Sequence, residues 1–174
     1  MAPEPQGVAR ADAAGRDRPR LRQTQVETPP DPPLSYLVDT NVLSELRKGV
    51  RTNDKVRAWF SRVADEELFI SVVAVGEIRR GIEAIRRRDL RQAASLEHWL
   101  RRLVVDHGER LLPVDLAVAE EWGRLSAIRS SSVVDTLLAA TARVHGLTLA
   151  TRNIRDVAWT GVDCVDPFGG TPRR

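Results

Sequence analysis

The feature that most constrains this chain is an alternation of short apolar runs with longer amphipathic stretches. From about residue 34 onward, runs such as Tyr36-Leu37-Val38 and Leu147–Thr151 are too short for helices and rich enough in apolar residues for buried strands. Between them, apolar residues recur at helical spacing, as with Val75, Ile78, Ile82 and Ile85, or Leu96, Trp99, Leu100 and Leu103. Strands that alternate with helices pair in parallel and need helices on both faces. The expectation is a three-layer α/β/α fold with a central parallel sheet. Strands are expected at 34–39, 67–71, 110–114, 147–151 and 162–165. Helices are expected at 42–48, 53–63, 72–88 and 89–106, then after Asp115, and at 132–145 with Gly146 as the stop. The four tryptophans fall mostly at core spacing, which assigns them to packing rather than to base stacking.

Residues 1–33 have a different character. They are rich in Ala, Pro, Arg and Asp, end in PPDPP, and offer little apolar surface to offset the entropy of ordering. They are expected to form a disordered N-terminal tail, with a domain at 34–168 and a flexible C-terminal tail at 169–174. A chain of 174 residues suits one such domain. The net charge is only +3, but the only lysines are Lys48 and Lys55, so the positive charge is nearly all arginine, suited to phosphate contact. A single cysteine, Cys164, forms no internal disulfide, and no Cys/His cluster suggests zinc. No apolar run approaches the roughly 18 residues of a membrane span, and no apolar signal core opens the chain. These features lead to the expectation of a cytoplasmic protein without membrane contact.

Chemistry concentrates in three lone acids. Asp39 ends the first strand, placing a carboxylate at the C-terminal sheet edge, where open α/β folds bind ligands. Glu77 and Asp135 each stand among apolar neighbours in ISVVAVGEIRRGIE and SSSVVDTLLAATARVHGLTLATRN. Isolated acids in such settings are costly unless paired, hydrogen-bonded or bound to a cation. Convergent carboxylates about 4 Å apart repel by on the order of 1–4 kcal/mol per pair, and a cation reverses that sign. Each acid also has a structural alternative. Asp39 suits a helix cap, Glu77 an ion pair with Arg79 or Arg80, and Asp135 a capping box with Ser132.

The set LVDTNVLSELRKG, ISVVAVGEIRRGIE, WGRL, DTLLAATARVHGLTLATRN and the closing DPF resembles, in order and over about 34–168, the PIN-domain ribonucleases, and among them the VapC and FitB toxins of type II toxin–antitoxin systems. The resemblance implies a Mg²⁺- or Mn²⁺-dependent endoribonuclease that cleaves RNA with metal-activated water. Hard cations of this kind take oxygen ligands and keep several waters, so few carboxylates suffice. Carried over by position, Asp39, Glu77 and Asp135 are the implied catalytic and metal-ligating acids. The fourth position falls on Asn153, where relatives often have Asp, and Asp156 is the candidate substitute. Thr40, Asn41 and Thr151 are implied supporting groups, and Arg79, Arg80 and Arg152 candidates for the RNA backbone. A cognate VapB-like antitoxin and a homodimer are the implied partners. The link 126–132 is shorter than the Gly/Pro-containing connection usual in relatives, which bears on Asp135 and on substrate entry. A catalytically degenerate PIN fold that binds RNA or protein is the alternative. A receiver-type signalling domain would need a lysine after a late strand, and none follows Lys55.

Overall fold

A computed structural model describes residues 35–169; the expected tails at 1–33 and beyond 169 lie outside the described residues. Five strands, β1 (Tyr36–Val38), β2 (Leu68–Ser71), β3 (Leu111–Leu112), β4 (Thr148–Ala150) and β5 (Cys164–Val165), form one parallel sheet in the order β3-β2-β1-β4-β5. The helices are α1 (Thr40–Leu46), α2 (Asp54–Phe60), α3 (Val72–Arg86), α4 (Leu90–His107), α5 (Leu116–Ile128), α6 (Val133–His145) and α7 (Ile154–Val157). The expected α/β/α architecture with a central parallel sheet is the observed one.

Strand alternation sorts side chains between two cores. Leu37 and Leu149 are register partners, and both point to the face covered by α5 and α6, where they meet Leu125 and Leu138. Val38, Leu68 and Ile70 point to the opposite face, against Val42, Ile78, Ile82, Leu96 and Leu100 of α1, α3 and α4. All four tryptophans pack against one of these cores. Because β1 lies at the centre, the chain steps outward to β2 and β3 on one side and later to β4 and β5 on the other. The order therefore reverses between β1 and β4, and their C-terminal ends open the crevice in which α/β sheets bind ligands.

Several boundaries differ from the sequence expectation, each for a local reason. Helix α1 begins at Thr40 rather than Val42, because the Asp39 side chain accepts the Thr40 amide and caps the helix directly. Strand β3 covers two residues instead of five; as an edge strand it pairs only with β2. Helix α2 ends at Phe60 rather than near 63, and α3 ends at Arg86 rather than 88. Helix α7 was not anticipated: four residues are one turn, too short for a readable apolar period. Gly146 does stop α6, in a left-handed conformation with φ +65°.

Helices α3 and α4 are strapped together by Glu97, whose carboxylate accepts from Arg86 at 2.8 Å, Arg79 at 3.2 Å and Arg101 at 3.1 Å. These arginines, Arg86 foremost, pull its carboxyl down from 4.5 to about 2. A carboxylate lowered by folding stabilises the fold above its unfolded value and loses that contribution as pH falls through its folded value. Glu97→Gln is therefore expected to melt below wild type at neutral pH, with the difference shrinking from pH 4.5 toward about 2. Thermal melts of both proteins across that range check this; a pH-independent difference would show that the charge of Glu97 contributes nothing.

Candidate metal centre

The Asp39 carboxylate is built into the crevice between β1 and β4 from both sides. Its own amide donates to the Ala150 carbonyl at 3.0 Å, continuing the β1–β4 ladder by one residue. One oxygen, Oδ1, accepts the Thr40 amide at 2.5 Å; the other, Oδ2, accepts Asn41 Nδ2 at 2.5 Å and the Thr151 hydroxyl at 2.6 Å. Thr151 follows β4 as Asp39 follows β1. Its hydroxyl has one proton, given to Asp39, and it accepts in turn from the Asn153 amide at 3.0 Å and Asn41 Nδ2 at 3.3 Å. Asn41 Oδ1 accepts the Arg152 amide at 3.3 Å. The start of α1 and the β4–α7 turn are thereby cross-linked, and the orientation of Asp39 is fixed.

Asp39, Thr40, Asn41, Ser44, Glu77, Val134, Asp135 and Asn153 line one open cavity of about 260 Å³. Glu77 comes from α3, which starts where β2 ends with its cap, Ser71. Asp135 occupies the first turn of α6, where Ser132 Oγ accepts its amide at 3.4 Å. Residues 126–128 belong to α5, so the connection to α6 is 129–132; it ends in that cap, and Asp135 lines the cavity. Asn153 caps no amide with its side chain and is among the residues lining the cavity. Asp156 lies on the exposed side of α7 and is not among the residues lining the cavity. Ser44 and Val134 are the lining residues that sequence reasoning missed; for Ser44 the spacing from Thr40 and Asn41, four and three residues on α1, was the available signal.

The electrostatics are those of a site short of positive charge. Asp39 is 6% exposed, and burial pushes its carboxyl above the ordinary 3.8, with the charge of Asp135 adding to the rise. Hydrogen bonds from Thr151, Thr40 and Asn41 act in the opposite direction and do not cancel it. The Thr40 hydroxyl is buried without a hydrogen-bond partner. Carboxylates, a carboxamide and a free hydroxyl are hard oxygen donors, and this set fits Mg²⁺ or Mn²⁺, which need only one or two carboxylates beside water. Glu77 Oε1 lies 2.7 Å from Arg80 Nη2, and among the described residues no three acidic, histidine or cysteine side chains gather closely enough to clasp one ion. Asp39 and Asp135 take part in no ion pair among the described residues, whereas Glu77, in the same cavity, is paired with Arg80.

Larger and more apolar grooves exist, one of about 660 Å³ between α3 and α4 and one of about 350 Å³ among α1, α2 and α4, but no acid lines either. Arg79 belongs to the Glu97 strap and not to the acidic cavity. The Arg152 guanidinium stands 5.1 Å from the centre of the Phe168 ring. Burial, with Asp163 adding to it, raises the Cys164 thiol to about 11, which leaves it un-ionised at neutral pH and unsuited to nucleophilic chemistry.

The PIN domain family profile matches residues 36–158. The VapC ribonuclease Y4jK of Sinorhizobium fredii is 32% identical over 140 residues, spanning 76% of this chain and 96% of that protein. The toxin FitB of Neisseria gonorrhoeae is 30% identical over 122 residues, spanning 67% and 86%. Among solved structures, FitAcB from Neisseria gonorrhoeae superposes with a TM-score of 0.68 at 27% identity, covering 76% of this chain and 98% of that one.

Proposed function

The chain belongs to the PIN domain family, and from that premise we propose that it is a divalent-metal-dependent endoribonuclease acting as the toxin of a type II toxin–antitoxin pair. The observation that carries the proposal is the meeting of Asp39, Glu77, Asp135 and Asn153 in one cavity at the sheet's switch point. The relatives' names, VapC ribonuclease and toxin FitB, support the same reading. RNA is the proposed substrate, a VapB-like antitoxin and a second copy of the chain the proposed partners, and the cytoplasm the proposed compartment. No helix among the described residues is long and apolar enough to cross a membrane.

In this reading Asp39 and Asp135 hold Mg²⁺ or Mn²⁺, with Glu77 as the third acid. A bound cation would relieve charge on the phosphate and supply a nucleophile at neutral pH. The chain's own residues do the positioning. Thr151, Asn41 and the Thr40 amide fix the Asp39 carboxylate, so that no side-chain reorganisation is needed when the substrate arrives. Thr40 lines the cavity, though its unpartnered hydroxyl is itself buried, and Asn153 brings an oxygen without charge. Arg152 and Arg80 are the proposed contacts to the RNA backbone.

The test is induced expression followed by sequencing of RNA ends, together with cleavage of the same RNA by purified protein with and without Mg²⁺. Growth arrest with new, discrete RNA ends that require the cation is expected. The alternative, a PIN fold that binds without cutting, draws on Asn153 and on the engagement of Glu77 with Arg80. RNA binding without Mg²⁺-dependent cleavage would establish that alternative instead.

Asn153→Asp is expected to retain activity and to lower the Mg²⁺ concentration needed for half-maximal cleavage. The added carboxylate lines the same cavity as the buried Asp39, and because position 153 is itself exposed the gain in cation attraction should be modest. It also adds repulsion to the cation-free cavity, so the variant should melt slightly lower without Mg²⁺ and recover with it. Identical Mg²⁺ dependence in the two proteins would remove Asn153 from the site.

A further inference from the structure

We infer that Arg80 is a positioning residue that acts as a latch on Glu77, holding the third carboxylate out of the metal centre until a divalent cation draws it away. The inference rests on the cation-binding reading of the cavity. Glu77 and Arg80 lie three residues apart on α3, and their side chains meet at 2.7 Å. Glu77 lines the same cavity as Asp39 and Asp135, yet the three acids do not gather into one cluster. Because Glu77 already lines the cavity from α3, the latch places the difference in its side-chain rotamer rather than in the helix. A change of side-chain rotamer on a fixed helix is the motion required.

The energetics suit a latch that yields. The Arg80 side chain is 79% exposed and that of Glu77 24% exposed, so their pair is a surface pair in water. Such pairs contribute little, and a doubly charged ion already anchored by Asp39 and Asp135 attracts a third carboxylate more strongly than one guanidinium does. What remains is a modest penalty on cation affinity, the energy of breaking the pair. Arg79, the neighbouring cation on α3, is held by Glu97 and Glu83 and does not replace Arg80 at Glu77.

The consequence is read by calorimetric titration of Mn²⁺ into the full chain without RNA, for wild type, Arg80→Gln, Glu77→Gln and the double variant. Arg80→Gln should bind Mn²⁺ about two- to five-fold more tightly than wild type, the range that a surface pair of this kind supports. Glu77→Gln should bind more weakly. In the Glu77→Gln background, Arg80→Gln should change nothing, because the partner it releases is gone. Equal affinities of wild type and Arg80→Gln would overturn the latch. So would the same tightening in both backgrounds, since that is the signature of a through-space charge effect. Absence of Mn²⁺ binding in both wild type and Arg80→Gln would overturn the cation-binding reading itself and the latch with it, whereas binding at equal strength overturns the latch alone.

Discussion

Asp39→Asn is expected to abolish growth arrest and to reduce RNA cleavage by at least about 10²-fold, because the amide keeps the shape of the side chain and removes a charge that, in the proposed function, would hold a bound cation. The loss should not come from unfolding. Asn still caps α1 through its one oxygen, but its NH2 then replaces Oδ2 opposite the Thr151 hydroxyl and Asn41 Nδ2, so the melting temperature of the variant is measured beside its activity. The variant should also separate function from stability. The folded protein raises the Asp39 carboxyl above 3.8, by burial first and by the charge of Asp135 as well. An acid raised by folding binds its proton more tightly in the folded state, so stability is lost as pH rises from the unfolded value through the folded one. At neutral pH without a cation, the ionised Asp39 therefore works against the fold. Wild type should show this loss on raising the pH from about 3.8 upward, and Asp39→Asn should lack it. Adding Mg²⁺ should raise the melting temperature of wild type and leave the variant unmoved, by the linkage of binding to stability. An equally abundant variant that is still toxic would end the metal-nuclease account.

Leu37→Ala is expected to give the largest loss of stability of any single change discussed. Leu37 is fully buried at the centre of the central strand, with β2 and β4 on either side and Leu138 and Leu149 within the same core. Truncating a buried leucine removes its transfer energy and leaves a cavity, at a cost of about 2–5 kcal/mol. For a domain of this size that is a fall of roughly 5–15 °C in melting temperature. Leu116→Ala is the control: Leu116 is 77% exposed at the start of α5, and its loss should stay within about 0.5 kcal/mol. Equal melting of the two variants would contradict the placement of Leu37 in the core. Asp39 lies two residues further along the chain, just past the end of β1, so reduced cleavage in Leu37→Ala should appear together with the lower melting temperature.

The sequence alone determined the kinds of elements, their order and the acids worth watching. Periodicity is local, so the helices carrying Ile78 and Ile82 or Leu96 and Leu100 could be read without knowing what they touch. Lone acids among apolar residues signal a cost that something must offset, which singled out Asp39, Glu77 and Asp135. Strand lengths were less legible: β3 is cut to Leu111 and Leu112 by its edge position, and edge or centre is a property of the sheet rather than of the strand. Helix α7 is a single turn, below the length at which a period exists.

Only the tertiary structure decided how the site is assembled. Thr151 is 112 residues from Asp39, and its hydroxyl reaches that carboxylate because β4 pairs with β1, a long-range choice that no local pattern encodes. The same pairing placed Asn153, the position the resemblance implied, in the cavity and left its candidate substitute Asp156, three residues on, outside it. It was also tertiary packing that gave Arg79 to Glu97 on a neighbouring helix and left Arg80 as the partner of Glu77. Two adjacent arginines point about 100° apart on a helix, so which one meets the acid and which one straps the helices depends on what lies beside each face.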